Sequence, residues 1–181
     1  MRQKVTAARL EEFMKALASE RPNPVRIFLV GGATAVLLGW RDSTIDVDLK
    51  LEPDSDEILK KIPELKDRLQ INVELASPDD FIPELTAWRD RSKFIRQEGN
   101  LTFLHYDFYA QALAKIERAH ELDLQDVSEM IRAGLVEPLR LLEFFSDIEA
   151  RLYQYPAIDP ADFRSAVESV VSMHVRDSTG L

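Results

Sequence analysis

The 181-residue sequence predicts an α/β fold of the α+β kind: a mixed sheet of about five strands interleaved with helices, then a helical C-terminal half. Three observations predict it. Short apolar or alternating runs, bounded by Gly, Pro, Asn and Asp, recur at residues 25–30, 44–52, 71–75, 93–97 and 101–106. Amphipathic stretches with cap and stop signals lie before and between the first three runs. From residue 107 to the end only helical periodicity remains. The expected organisation is therefore a sheet core with its helices over 1–106 and a helical region over 107–181 packed on the same domain.

Taken in order, Leu10, Phe13, Met14 and Leu17 form one stripe of a helix over 6–19, ended before Pro22-Asn23-Pro24. Residues 25–30 are apolar enough for a buried strand, stopped by Gly31-Gly32, and 33–38 form a short helix ended by Gly39. Over 44–52 the alternation puts Ile45, Val47, Leu49 and Leu51 on one face and Asp46, Asp48, Lys50 and Glu52 on the other. Asp54 with Glu57 reads as a capping box, opening a helix towards Leu69 that Pro63 interrupts. In the next strand Ile71, Val73 and Leu75 share one face, Asn72 and Glu74 the other. A loop marked by Pro78 and Pro83 leads to two strands that flank the hairpin turn Glu98-Gly99-Asn100. Helices follow to about His120, from Asp123 to a stop at Gly134, from Pro138, and from Asp159-Pro160 to a fraying end.

Composition excludes several classes of function. With 23 Lys+Arg against 32 Asp+Glu the formal charge is −9, which opposes a broad electrostatic grip on nucleic acid. The absence of cysteine removes disulfides, thiolate zinc sites and cysteine nucleophiles. The opening Met1-Arg2-Gln3-Lys4-Val5-Thr6 leads into an amphipathic segment instead of an apolar signal core, and no run of about eighteen apolar residues occurs. The expectation is a soluble cytoplasmic protein with no membrane partner.

The chemistry sits in two places. Residues two apart on a strand project to one side, roughly 6.5 to 7 Å apart, so Asp46 and Asp48 share a face. Carboxylates at that spacing can converge on a divalent ion such as Mg²⁺, whose charge offsets their repulsion. If the strand at 71–75 lies alongside, Glu74 adds a third acid. The same three residues equally suit the wet face of an open sheet. Gly31-Gly32, between a strand and a short helix, suits a plain structural turn. It also suits a phosphate cradle, because it offers backbone N–H groups at a helix N-terminus with no Cβ in the way. A phosphate site beside a carboxylate pair is what metal-assisted phosphoryl or nucleotidyl transfer requires.

The string Val30-Gly31-Gly32, a thirteen-residue spacer and Asp46-Val47-Asp48-Leu49 resembles the signature of the polymerase-β-like nucleotidyltransferase superfamily. That resemblance implies a nucleotidyltransferase fold with Asp46 and Asp48 as metal ligands. It makes Glu74 the third acidic group, a further ligand or the base for an acceptor hydroxyl. Gly31-Gly32 with Leu37-Leu38-Gly39 is similar to the opening of tRNA nucleotidyltransferases, but Ala35-Val36 stands where those enzymes carry Arg-Asp, which argues against CCA addition. Residues 112–118, Ala-Leu-Ala-Lys-Ile-Glu-Arg, followed by Asp123-Leu124-Gln125-Asp126-Val127, look similar to C-terminal motifs of AbiEii-like nucleotidyltransferases, a group that includes toxins of bacterial toxin–antitoxin systems. Lys115 and Arg118, at i and i+3, could then both reach a triphosphate, with Asp123 beside them. Otherwise the two cations are a solvated helix face, and Asp123 is an N-cap with Asp126 at N3.

The resulting expectation is a Mg²⁺-dependent transfer of a nucleotide from an NTP to a hydroxyl of RNA, tRNA or a protein. Gly31, Gly32, Lys115, Arg118 and Asp123 hold the nucleotide, and Asp46, Asp48, Glu74 and Lys115 act in catalysis. A cognate antitoxin, or a homodimer through the C-terminal helices, is the expected partner. Two rivals stand beside it: an idle binding or regulatory protein on the same fold, and a structural domain with a solvated acidic face. Elsewhere, the basic run at 88–96 is either a nucleic-acid contact or a loop with a solvated edge strand. His105, His120 and His174 lack ligand spacing and read as structural or exposed. Leu139, Leu141, Leu142, Phe144, Phe145 and Ile148 read as core or interface.

Overall fold

The structure, a computed structural model, describes residues 3–19 and 22–179. Met1 and Arg2 of the opening segment, and the last two residues of the fraying end, lie outside the described residues. The chain divides into two compact units, one of Met1–Ser77 with Ser92–Tyr106 and the other of Pro78–Arg91 with Asp107–Leu181.

The first unit contains α1 (Ala7–Ala18), β1 (Val25–Val30), α2 (Gly32–Leu38), β2 (Asp46–Glu52), α3 (Asp56–Arg68) and β3 (Asn72–Leu75). After residues 78–91, which belong to the second unit, it resumes with two strands, Lys93–Glu98 and Leu101–His105, here β4 and β5. The sheet order is β3-β2-β1-β5-β4. It is mixed: β1 is antiparallel to β2 and parallel to β5, β2 is parallel to β3, and β4 is antiparallel to β5. Alternation decides which face is covered. Ile27, Leu29, Val47, Leu49, Val73 and Phe103 pack with Leu10, Phe13 and Met14 of α1 and Ile58, Ile62 and Leu65 of α3 in one apolar core. The opposite face carries Asp46, Asp48, Lys50 and Glu52, whose partners across β1 include Phe28 and Arg26. Arg26 pairs with Glu52 at 2.7 Å.

Four local expectations are corrected. Ile45 is 71% exposed, outside β2, because the preceding Thr44 is fixed by two backbone bonds to Val5, 2.7 and 2.9 Å long. The cap of α3 is Ser55 and not Asp54: the Ser55 hydroxyl accepts from the Ile58 N–H at 3.4 Å. Pro63 does not interrupt α3, which continues through it with Ile62 and Leu65 still buried. Of the strand at 71–75, Val73 is buried as expected, whereas Leu75 at the strand end is exposed.

The second unit is helical, with α4 (Trp88–Arg91), α5 (Phe108–Arg118), α6 (Glu121–Arg132), α7 (Pro138–Glu149) and α8 (Pro160–Thr179), and short 3₁₀ turns at Pro78–Asp80 and Leu152–Gln154. Leu141, Phe145 and Ile148 of α7 are buried while Leu139 is exposed, so the apolar run is chiefly core. Phe145 meets Phe163 of α8 edge to face, 4.9 Å between centroids. The start of α5 is fixed by Asp107, which caps it by accepting from the Tyr109 N–H at 3.2 Å. Arg91 donates to the same carboxylate through Nε and Nη2 at 3.1 and 2.6 Å. Burial pushes the Asp107 carboxyl up, and Arg91 offsets this only in part.

Candidate active site

The β2–β3 register settles the side on which the acids lie. Asp46 is opposite Asn72 and Asp48 opposite Glu74, so all four side chains leave the same face of the sheet. The polar atoms agree: Asn72 Nδ2 donates to Asp46 Oδ1 and to Glu74 Oε1, each at 2.7 Å. Asp46 and Asp48 are half-buried and Glu74 is exposed. A domain with Glu74 turned away from Asp46 is therefore not what the chain forms.

The glycine turn meets this group at the end of β1. Val30 pairs with Asp48, and Gly31 follows with φ 61° and ψ −123°, a backbone state that a residue with a Cβ rarely adopts. A Cβ placed on Gly31 would sit 3.4 Å from Asp48 Oδ2. Gly32 is stricter still: a Cβ there would lie 2.1 Å from Thr44 Oγ1 and 2.8 Å from Thr44 Cβ. Thr44 in turn donates its hydroxyl to the Asp46 carbonyl at 3.1 Å, so the start of the acidic strand is packed directly on the glycine turn. Behind the turn, Thr34 of α2 donates to the Leu29 carbonyl at 3.2 Å and lies 3.1 Å from His105 Nδ1. The Thr34 hydroxyl thus ties the start of α2 to the end of β1 and to β5. Burial lowers the His105 pKa to about 4, and the residue serves as a neutral strut under α2.

Mg²⁺ is a hard cation that takes carboxylate oxygens, and the donor set of Asp46 and Asp48 suits it. Among the described residues no group of three or more His, Cys, Asp or Glu closes into a ready-made cage. Such an ion commonly keeps water and substrate oxygens in its shell, and a Cβ on Gly31 would stand 3.4 Å from Asp48 Oδ2.

Lys115, Arg118 and Asp123 belong to the other unit, where they bind one another. The Lys115 ammonium, its side chain 6% exposed, donates to Asp123 Oδ1 at 3.0 Å and Asp126 Oδ2 at 2.7 Å. Arg118 grips Asp123 with a two-pronged contact, Nε to Oδ2 at 2.7 Å and Nη2 to Oδ1 at 2.8 Å. Burial acts to raise the Asp123 carboxyl, but the bonds and charges of Arg118 and Lys115 outweigh it and hold the group below the usual carboxylate range. Asp123 is not the cap of α6: His120 holds that position and Asp123 is the third helical residue.

Two participants escape a reading of the sequence. Asn72 shares the polar face of its strand with Glu74, but only the register shows that its amide stands between two acids. Thr44 precedes the alternating run, and nothing local ties it to Gly32. Of the histidines, His105 is buried, His120 is exposed at the α6 cap, and His174 Nδ1 donates to the Val170 carbonyl at 2.9 Å.

A five-stranded mixed sheet covered by helices on one face, with a glycine turn beside strand-borne acids on the other, has the architecture of an α+β nucleotidyltransferase fold. The chain belongs to a family described as a nucleotidyltransferase of unknown function, DUF6036, whose model matches residues 6–164. No curated protein and no solved structure matches it.

Proposed function

We propose that the acidic face of β2 and β3, with the Gly31-Gly32 turn, is the active site of a metal-dependent enzyme that transfers a nucleotide from an NTP to an acceptor hydroxyl. The observation that carries this is the pairing of Asp48 with Glu74 on one side and its approach to Gly31 on the other. Gly31 and Gly32 receive the phosphates through backbone N–H groups, at a turn where Thr44 and Asp48 leave no room for a Cβ. Asp46 and Asp48 would hold Mg²⁺, which when bound neutralises phosphate charge and aligns the reacting oxygens. The acceptor oxygen attacks the α-phosphorus, the bond to the β-phosphate oxygen breaks, and pyrophosphate leaves with that electron pair. Glu74, exposed beside Asp48, is placed to take the proton that the hydroxyl releases.

The finer assignment rests on sequence likeness. The block at 112–127 supports the AbiEii-like branch, with an RNA or protein hydroxyl as acceptor and a cognate antitoxin as partner. Within that block Lys115 is held by two carboxylates and Arg118, its side chain 52% exposed, by Asp123, so their part is to bind α5 to α6.

A second reading has one observation in its favour: the Asn72 amide already engages Asp46 and Glu74, as suits an idle binding protein on the same fold. Calorimetry with each NTP and Mg²⁺, alongside a pyrophosphate-release assay with total RNA and cell extract as acceptors, separates the two. Binding with release, both abolished in Asp46→Ala, supports transfer; binding without release supports the idle protein; no binding defeats both.

A further inference from the structure

Asn72 places two hydrogen-bond donors between two acids that ordinary electrostatics would drive apart. Asp46 and Glu74 lie on neighbouring strands, whose backbones run roughly 4.8 Å from one another. A carboxylate can only accept, so the amide nitrogen, not the amide oxygen, must face both of them, and each of its protons has a named destination, Asp46 Oδ1 and Glu74 Oε1. These are charge-assisted bonds, shorter and stronger than neutral ones. They occupy one oxygen of each acid, Asp46 Oδ1 and Glu74 Oε1. The geometry that produces this is not interchangeable with the neighbouring positions: Asn72 shares the parity of Glu74 and the register of Asp46, so no other β3 residue faces both.

From this we infer that Asn72 is a positioning residue of the site, fixing the rotation of the Asp46 carboxylate so that a divalent cation held by Asp46 and Asp48 meets it already oriented, and holding Glu74 beside it. The inference rests on the reading of this face as a metal-dependent site. Its physical basis is that of partners which orient metal ligands from behind, whose loss typically weakens metal binding about 10- to 100-fold. Asn72 touches neither metal nor substrate in this role.

The test measures Mn²⁺ binding to the full chain by the loss of the free-ion electron paramagnetic resonance signal, with and without an NTP, for wild type, Asn72→Ala, Asn72→Leu and Asp46→Ala. Leucine keeps the branched outline of asparagine, at a larger volume, and removes both donors. The expected result is roughly tenfold weaker binding in both Asn72 variants. Unchanged or tighter Mn²⁺ binding in Asn72→Leu overturns the inference while leaving the functional reading intact. Binding that is absent in wild type, or indifferent to Asp46→Ala, defeats the functional reading and the inference with it. Wild-type protein supplies an independent check that requires no variant: the side-chain amide resonances of Asn72 should shift in step with Mg²⁺ occupancy, and an amide signal indifferent to saturating Mg²⁺ overturns the inference.

Discussion

Asp48 of β2 stands directly opposite Glu74 of β3 in a parallel pair, two residues beyond the pairing of Asp46 with Asn72. In a parallel ladder this register holds only if both strands enter from the same end, so the acids converge because α3 returns the chain across the covered face between them. The helix-covered face holds the main apolar core, while the opposite face carries the polar residues of β2 and β3 beside the buried Phe28 of β1.

The glycine turn is the most sterically constrained part of that arrangement. Gly32→Ala forces Thr44 to move, since Oγ1 and Cβ both lie inside contact distance of the new methyl. Overpacking of this kind costs about 1–3 kcal/mol, read as a lower urea midpoint, and nucleotide binding should fall with it. Thr44→Gly in the same chain should restore much of the stability. A Gly32→Ala protein with wild-type midpoint contradicts the packing described.

Lys115 separates a structural from a phosphate-binding role cleanly. Lys115→Met leaves Asp126 and part of Asp123 buried without their cation, and breaking a buried pair in this way costs about 3–5 kcal/mol. The measurement is thermal or urea unfolding. If Lys115 instead acts on the triphosphate, the variant keeps its stability and only nucleotide affinity changes.

His105 gives the chain an acid-side stability slope. Its folded pKa of about 4 lies below the unfolded value near 6.5, so the unfolded chain binds the proton more readily between those pH values. Stability is therefore complete above pH 6.5 and is lost as pH falls towards 4, by about 3 kcal/mol from this group, at 1.36 kcal/mol per pKa unit. His105→Gln should flatten that part of the curve; a slope that survives the substitution assigns it elsewhere.

Most of the sheet was legible because its strands obey local rules. β1 ends where the glycines begin, β2 and β3 alternate, and the turn at Gly99-Asn100 separates β4 from β5. Helix starts at Pro138 and Pro160 were equally local. The unreadable features depend on what arrives from far away in sequence. Thr44 is pinned by Val5, which withdraws Ile45 from the strand; Lys115 is buried because Asp123 and Asp126 come from the next helix to meet it. Periodicity assigns a residue to a face, but not to the neighbour across it, and so the shared face of Asp46 and Asp48 could be anticipated while the Asn72 bridge could not.

Ser55, the corrected cap, offers a small and specific check. Ser55→Ala should lower stability by about 1 kcal/mol, whereas Asp54→Ala, one residue earlier, should leave the urea midpoint close to wild type. The opposite order of effects restores the capping box to Asp54.

The central claim is tested most directly by incubating the protein with Mg²⁺, total RNA and cell extract, using NTPs labelled in parallel at the α- and γ-phosphate. Nucleotidyl transfer predicts that the α label becomes attached to an RNA or protein acceptor, that the γ label leaves in pyrophosphate, and that Asp46→Ala and Asp48→Ala lose both. Attachment of the γ label, or transfer undiminished in both aspartate variants, contradicts it.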